Sequence, residues 1–153
     1  MLNRRKLLWQ TAALAALPLS VAVAEEKIQV KVWKTPTCGC CSKWVDHMQA
    51  AGFAVDASNI QDVNVYKAQF GLPPELASCH TALVDGYVVE GHVPPADVVR
   101  MLEKRPTIAG IAVPGMPLGS PGMESPTPEN YQTVAFTKEG EMSLWAQHGP
   151  DYD

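Results

Sequence analysis

Three of the four cysteines in this 153-residue chain lie within four residues, at Cys38, Cys40 and Cys41. They follow an alternating apolar and polar run, residues 28–33, that predicts a half-buried strand, and they precede an amphipathic segment that predicts a helix over about 41–51. A helix that begins at such a turn directs the positive end of its dipole at the turn, which favours thiolate over thiol. Because three adjacent thiolates repel one another, the cluster requires either a disulfide or a soft metal ion.

The first 24 residues have the composition of a secretory signal peptide. A short basic stretch, residues 3–6, precedes the uncharged and mostly apolar residues 7–24, and small residues at 22–24 are typical of a cleavage site. We therefore expect residues 1–24 to be removed on export. An uncleaved membrane anchor is the alternative, and it is disfavoured because the apolar run is interrupted by Gln10, Thr11, Pro18 and Ser20.

The predicted mature chain is acidic. Removing the three basic residues of the leader from the twelve Lys and Arg leaves nine, against sixteen Asp and Glu, which is a net charge of −7. An acidic exported chain without a basic cluster is a poor candidate for binding nucleic acid or anionic lipid. We expect no nucleic-acid partner, and no membrane partner once the leader is removed.

The predicted elements after the leader are a strand, a helix, a strand, a helix, a hairpin and a third helix. The hairpin is indicated by the Asp85-Gly86 turn between two β-branched runs, and the third helix covers about residues 96–104. This order, with the cysteines at the first strand-to-helix turn, is that of a thioredoxin-like α/β domain, which we assign to residues 25–106.

The remaining third of the chain has a different composition. Residues 113–128 are dense in Pro and Gly and predict a loop without regular structure. Residues 133–137 and 142–146, on either side of a charged turn, predict a final hairpin. We expect residues 107–153 to form a Pro/Gly/Met loop and a C-terminal β-hairpin extension packed on the same domain.

The spacing of Cys38 and Cys41 at a helix start is typical of dithiol–disulfide exchange. In a thiol–disulfide oxidoreductase, Cys38 would be the catalytic nucleophile and Cys41 the resolving thiol. A third thiol at Cys40 would scramble that pair, whereas Cu(I), which prefers two or three soft sulfur ligands, gains a donor from it. A structural zinc site made of four cysteines is a further alternative, although such sites usually draw on paired Cys-x-x-Cys loops.

Cys79 and His80 are singled out by the position that the predicted fold assigns to them. In thioredoxin-like proteins the loop before the central hairpin passes over the cysteine motif and usually carries a cis-proline followed by Thr. Here His80 takes the proline position before Thr81, so we expect Cys79 to face Cys38 and Cys41 and to complete a ligand set. The alternative is two disulfides in an oxidising compartment, with Cys79 paired to one of the other three cysteines.

Two methionines of the Pro/Gly loop are further candidate ligands. Met116 and Met123 occur in similar Pro-Gly-Met phrases, and a thioether binds Cu(I) without having to lose a proton. Packing on the domain surface explains both methionines equally well. His47 and His92 are expected to be structural or surface residues rather than ligands.

Several motifs of the chain together resemble one family. They are residues 35–41 (TPTCGCC), 78–81 (SCHT), 84–87 (VDGY), 91–94 (GHVP) and the stretch 112–124. The resemblance is to the exported, thioredoxin-like metal-binding proteins of the copper-resistance protein CopG family, which is distinct from the DNA-binding repressor of the same name. It implies a periplasmic protein of Gram-negative bacteria, often encoded with copper and silver export systems.

The resemblance also implies a ligand set and partners. Cys38, Cys40, Cys41 and Cys79 would be thiolates that bind copper as Cu(I), with one ion or several in a shared cluster. A redox role in copper handling, coupled to the Cu(I)/Cu(II) change, would make the protein a copper or thiol oxidoreductase. Its expected partners are copper ions and periplasmic copper-export or copper-carrier proteins. Further ligands would come from His80, Met116 and Met123.

Overall fold

A computed structural model of the protein describes residues 26–152, so the signal peptide predicted for residues 1–24 lies outside the described residues. These residues form a mixed α/β fold with one seven-stranded sheet and three α-helices. The strands are β1 (Gln29–Lys34), β2 (Ala54–Asn59), β3 (His80–Val84), β4 (Tyr87–Glu90), β5 (Gly110–Ala112), β6 (Tyr131–Phe136) and β7 (Met142–His148). The helices are α1 (Gly39–Ala50), α2 (Asn64–Gln69) and α3 (Pro95–Lys104), with a 3-10 turn at Pro74–Leu76. Among residues 26–152, no helix combines the length and the hydropathy that a membrane span requires.

The sheet has the strand order β2-β1-β3-β4-β5-β6-β7. β1 pairs in parallel with β2 and antiparallel with β3, in a register that sets Lys34 opposite His80 and Val30 opposite Val84. The end of β1, from which the chain enters the cysteine turn, therefore lies beside the start of β3. This pairing brings residues 38–41 close to Cys79, although almost forty residues separate them in the chain.

The predicted order of elements from β1 to α3 is confirmed. The Asp85-Gly86 turn joins β3 to β4 as expected, with φ values of 47° and 87° that place both residues in the left-handed region favoured by tight hairpins. The expected final hairpin is also present, as β6 and β7, and it continues the main sheet through β5.

β5 is the strand that sequence patterns did not predict. It has only three residues, too few to show an alternating pattern, and it pairs in parallel with β4 and antiparallel with β6. At Gly110 an added Cβ would lie 2.0 Å from the carbonyl oxygen of Val88, so only glycine permits this close approach of the two strands.

Hydrophobic side chains cover the sheet on both faces. Trp44 and Met48 of α1 pack with Val98 and Met101 of α3 in the larger cluster, and the Trp44 Nε1–H donates to the carbonyl oxygen of Val93 at 2.9 Å. The smaller cluster lies under the 3-10 turn and includes Leu72, Leu76, Val88, Ala112 and Phe136. Neighbouring residues of β4, Val88 and Val89, belong to different clusters, as the alternation of a strand requires.

Candidate metal centre

The cysteine turn is built into the start of α1. The helix begins at Gly39, two residues earlier than predicted, so that Cys38 is its N-cap residue and Cys40 and Cys41 lie in its first turn. Cys38 and Cys41 form a disulfide, with their Cα atoms 5.4 Å apart, while Cys40 and Cys79 are free thiols. The Cys40 Sγ lies 3.5 Å from the Cys38 Sγ, within reach of the disulfide.

Cys79 completes a group of four sulfurs. The Sγ atoms of the four cysteines all lie within 4.8 Å of one another, which is close enough for them to share a metal ion. Of the two disulfides considered as an alternative, the structure contains one, and Cys79 does not take part in it.

A second group of candidate ligands shares Cys79 with the first. The Cys79 Sγ lies 3.0 Å from Nε2 of His92 and 3.4 Å from Nδ1 of His80, and both imidazole rings are fully buried. The three ligating atoms lie within 4.8 Å of one another. Cys79 is thus the one residue common to a four-sulfur group and a Cys-His-His group.

His92 was expected to be a structural or surface residue, and the structure buries it beside Cys79, a proximity that the sequence analysis did not anticipate. The hairpin register pairs Thr81 with Glu90 across β3 and β4. Extending that register by two residues sets Cys79 opposite His92. The tight Asp85-Gly86 turn fixes this register, so the signal was present in the sequence.

Both imidazoles are held in the neutral form. Burial lowers the pKa of His80 well below its ordinary value, helped by the charges of His92, Lys67 and Lys34, and burial also lowers the pKa of His92. Neutral imidazole is the form that binds metal ions. His80 Nε2, although buried, has no hydrogen-bond partner within the part of the chain that the structure describes.

The tautomer of His92 follows from its second contact. Its Nδ1 lies 2.8 Å from the carbonyl oxygen of Pro121, which can only accept a hydrogen bond, so Nδ1 carries the proton. Nε2 therefore presents its lone pair to the Cys79 sulfur. This arrangement, in which a backbone carbonyl orients the ring and leaves the other nitrogen free, is the usual one for metal-binding histidines.

The Cys79 thiol is protonated at neutral pH. Burial, followed by the neighbouring charge of Cys40, raises the pKa of Cys79 to about 11. A cation at this position would offset both effects, because a metal ion stabilises the thiolate that coordinates it. Metal binding at Cys79 is therefore expected to release a proton.

Residues 113–124 form a loop segment, which we call the strap, and this segment contacts the chain near the cysteines at both of its ends. Residues 113–130 contain neither helix nor strand. Near one end of the strap, the Ser78 hydroxyl donates to the carbonyl oxygen of Gly115. Near the other end, Gly122 has a φ of +92°, and an added Cβ would lie 2.6 Å from the carbonyl oxygen of Cys40. The strap thus contacts Ser78, which precedes Cys79, and also the first turn of α1.

The two candidate methionines lie on the strap beside these attachment points. Met116 follows Gly115 and is 51% exposed, whereas Met123 follows Gly122 and is partly buried. Their participation in the site stays a prediction.

An ion pair at the far end of the strap makes a testable contribution to stability. The Gly122 N–H and His47 both bond to the Glu124 carboxylate, at 2.8 and 2.6 Å, and they lower its pKa from 4.5 to about 2. A carboxylate with a lowered pKa stabilises the fold above its ordinary pKa, and the contribution is lost as the pH falls from about 4.5 towards about 2. Because the side chain is half exposed, we expect less than about 1 kcal/mol.

The measurement is urea unfolding of the Glu124→Gln variant and the unchanged chain at pH 6, 4 and 2. The difference in unfolding free energy should be present at pH 6 and mostly lost at pH 2. Glu103→Gln, which changes an exposed carboxylate of α3, serves as the control and should show little difference at any pH. A difference for Glu124→Gln that does not change with pH would contradict this account.

One family model and two solved structures of known proteins are similar to this chain. The family model "Protein of unknown function, DUF411" matches residues 76–123, a range that contains Cys79, both buried histidines and most of the strap. No curated protein matched the chain.

Two solved structures are similar to the chain over most of its length. "Copper resistance protein copG- Form 1" has 41% sequence identity and a TM-score of 0.77, and the match covers 82% of this chain and 100% of that one. "Copper resistance protein copG- Form 2" has 42% identity and a TM-score of 0.77, with 81% of this chain and 100% of that one covered. Because a CopG chain is matched over its whole length at this identity and with a shared fold, the protein belongs to the CopG family of copper-resistance proteins.

Proposed function

We propose that the protein binds copper as Cu(I) through the thiolates of Cys38, Cys40, Cys41 and Cys79, and that it does so in copper resistance. The observation that carries the proposal is the convergence of the four sulfur atoms within 4.8 Å of one another. Soft thiolate donors favour Cu(I) and Zn²⁺ over hard cations such as Mg²⁺ and Ca²⁺. The names of the solved relatives point to copper.

The second group of ligands supports binding of more than one copper ion. Imidazole nitrogen is also a good copper ligand, and both histidines beside Cys79 are buried and neutral. A thiolate can bridge two metal ions. Cys79 would then bridge an ion held mainly by sulfur and an ion held by His80 and His92. The structural zinc alternative does not account for these two histidines, because four cysteines already complete a tetrahedral zinc site.

The Cys38–Cys41 disulfide would act as the redox partner of copper at this site. Reduction of the Cys38–Cys41 disulfide takes two electrons and two protons and yields the two thiols that the four-sulfur group needs. In the opposite direction, two thiols can reduce two Cu(II) ions to Cu(I), with formation of the disulfide and release of two protons. We propose this coupling as the link between the cysteines and the Cu(I)/Cu(II) change.

The thioredoxin-like assignment and the periplasmic location are parts of the same proposal. The assignment is supported by the strand order β2-β1-β3-β4 and by the disulfide at the start of α1. The location is supported by the leader-like composition of residues 1–24. Copper-export or copper-carrier proteins of the same compartment are the proposed partners.

The direct test is a Cu(I) titration of the protein under anaerobic conditions, in its reduced and in its oxidised form. The reduced protein should take up Cu(I) and develop the near-ultraviolet absorption of thiolate-to-copper charge transfer. The oxidised protein should bind much more weakly, because the disulfide removes two of four thiolates. A parallel Zn²⁺ titration is the comparison, and a reduced protein that holds Zn²⁺ but fails to take up Cu(I) would overturn the proposal.

One observation favours a second candidate, a thiol–disulfide oxidoreductase, since the Cys38–Cys41 disulfide occupies a helix N-terminus. Such an enzyme would catalyse the reduction of insulin by dithiothreitol and would tolerate the loss of Cys79. The copper proposal expects little insulin reduction and a strong dependence on Cys79, so the Cys79→Ser variant separates the two functions.

A further inference from the structure

A buried polar network lies next to the metal centre and takes no part in it. Glu90 and Thr81 are fully buried, and Lys67 is 8% exposed. Glu90 Oε1 accepts hydrogen bonds from Lys67 Nζ and from the backbone N–H of Ser78, the latter at 2.6 Å. Glu90 Oε2 accepts a hydrogen bond from the Thr81 hydroxyl at 2.7 Å, and Lys67 Nζ donates to the same hydroxyl at 2.9 Å.

The network is attached to the chain on both sides of the candidate ligands Cys79 and His80. Ser78 directly precedes this dipeptide and Thr81 directly follows it, and one carboxylate holds both. Lys67 is the buried residue of α2, so the short helix reaches the network through this side chain.

Stability alone does not explain a charged pair at this position. Removing a carboxylate and an ammonium group from water costs several kcal/mol per ion, and well-packed apolar residues often replace such a pair without loss of stability. What an apolar pair cannot supply is a set of directed hydrogen bonds to a backbone N–H and a hydroxyl. The network therefore fixes the position and orientation of the segment 78–81, to which its hydrogen bonds are made.

We infer that Lys67 and Glu90 are positioning residues that hold Cys79 beside the other three cysteines before a metal ion binds. Cys79 lies one residue before β3, so the register of that strand brings it opposite His92, but the strand itself begins only at His80. The bonds to Ser78 and Thr81 restrict the dipeptide between them and keep the Cys79 sulfur within 4.8 Å of the other three. Such preorganisation raises affinity because less ordering remains to be done on binding. The expected gain in copper affinity rests on the proposed function, whereas the positioning of Cys79 does not.

The main test is the double variant Lys67→Met with Glu90→Leu, which replaces the ion pair by apolar side chains. In the oxidised protein Cys40 and Cys79 are the two free thiols, so a pulse of iodoacetamide followed by peptide mass spectrometry reports both. Cys40 lies on α1 and serves as an internal reference. The ratio of Cys79 to Cys40 alkylation should rise several-fold in the double variant, because the segment 78–81 opens locally more often.

Two further variants separate positioning from general stability. Asp97→Asn alters another buried carboxylate, which bonds to Thr133 and His148 and makes no bond to segment 78–81, so it should leave the alkylation ratio unchanged. Thr81→Val removes one hydroxyl from the network and keeps the side-chain shape. This variant should raise the ratio of Cys79 to Cys40 alkylation by a smaller factor. If circular dichroism shows that the double variant is unfolded, the result for Thr81→Val decides the test.

Copper titration of the reduced variants gives the second readout. Loss of supporting groups around a metal ligand typically costs 10–100-fold in affinity, and we expect about that loss of Cu(I) affinity for the double variant. An unchanged alkylation ratio in the folded variants would overturn the positioning role, whatever the copper result. If the unchanged chain binds no Cu(I) while the ratio still rises, the proposed function fails and the positioning of Cys79 stands.

Discussion

The Cys79→Ser variant of the reduced protein is expected to bind Cu(I) at least about 100-fold more weakly than the unchanged chain, since altering even the groups that support a metal ligand costs 10–100-fold. Cys79 supplies the fourth sulfur of the cysteine group and also the sulfur that contacts both His80 and His92. Serine keeps the size of the side chain but replaces the soft donor by a hard one. Competition with a chromophoric Cu(I) chelator under anaerobic conditions measures the loss.

Two matched variants show whether Cys79 serves both groups. Cys40→Ser removes a sulfur from the four-sulfur group alone, and His92→Ala removes a nitrogen from the Cys-His-His group alone. Each is expected to cost less affinity than Cys79→Ser, and His92→Ala should lower the number of copper ions bound. If Cys79→Ser retained the affinity and stoichiometry of the unchanged chain, the shared role assigned to Cys79 would be wrong.

The second large effect is on folding, where Trp44→Ala should lower the free energy of unfolding by about 3–5 kcal/mol. Trp44 of α1 is fully buried in a cluster with residues of the sheet and of α3, and its ring centroid lies 4.5 Å from that of His80. Truncation leaves a cavity and removes the indole hydrogen bond to the carbonyl oxygen of Val93. Urea unfolding followed by far-ultraviolet circular dichroism measures the change without depending on tryptophan fluorescence.

Trp145→Ala is the control for the loss of a large aromatic side chain. Trp145 is only partly buried, on β7, where the Arg100 guanidinium lies 4.6 Å from its ring. We expect a clearly smaller loss of stability than for Trp44, because less apolar surface and no central cavity are involved. Equal losses for the two variants would mean that Trp44 is not at the centre of the core that supports the metal site.

Much of the fold was predictable because its signals are local. The Asp85-Gly86 turn requires two left-handed residues, and α1 is marked by its apolar spacing, so both elements were found from short stretches of sequence. β5 was missed because three residues carry no period, and because its place beside Val88 depends on a close approach that only the folded sheet reveals.

The candidate site likewise has a part that local sequence signals predicted and a part that depends on the folded sheet. The cysteines of residues 38–41 are neighbours in the chain, and their chemistry follows from helix-start geometry and thiol crowding. The proximity of His92 to Cys79 was not anticipated because it is a property of the β3–β4 register, which a search for motifs along the chain does not use. The role of Glu90 was not anticipated at all, since a single Glu at a strand end is ordinary until its buried partners are known.

The amino-acid sequence by itself determined which groups are chemically suited to bind metal and to change redox state, and where the helices, the central hairpin and the final hairpin form. It could do so because thiol reactivity, turn conformation and amphipathic period depend on residues close together in the chain. Only the tertiary structure decided that His92 lies beside Cys79 and His80, that the strap is attached next to the cysteine turn, and that a buried ion pair holds the Cys79 segment. These contacts join residues of different elements, and they depend on how far a strand register extends, on the paths of loops and on the burial of polar groups, which no short stretch of sequence specifies.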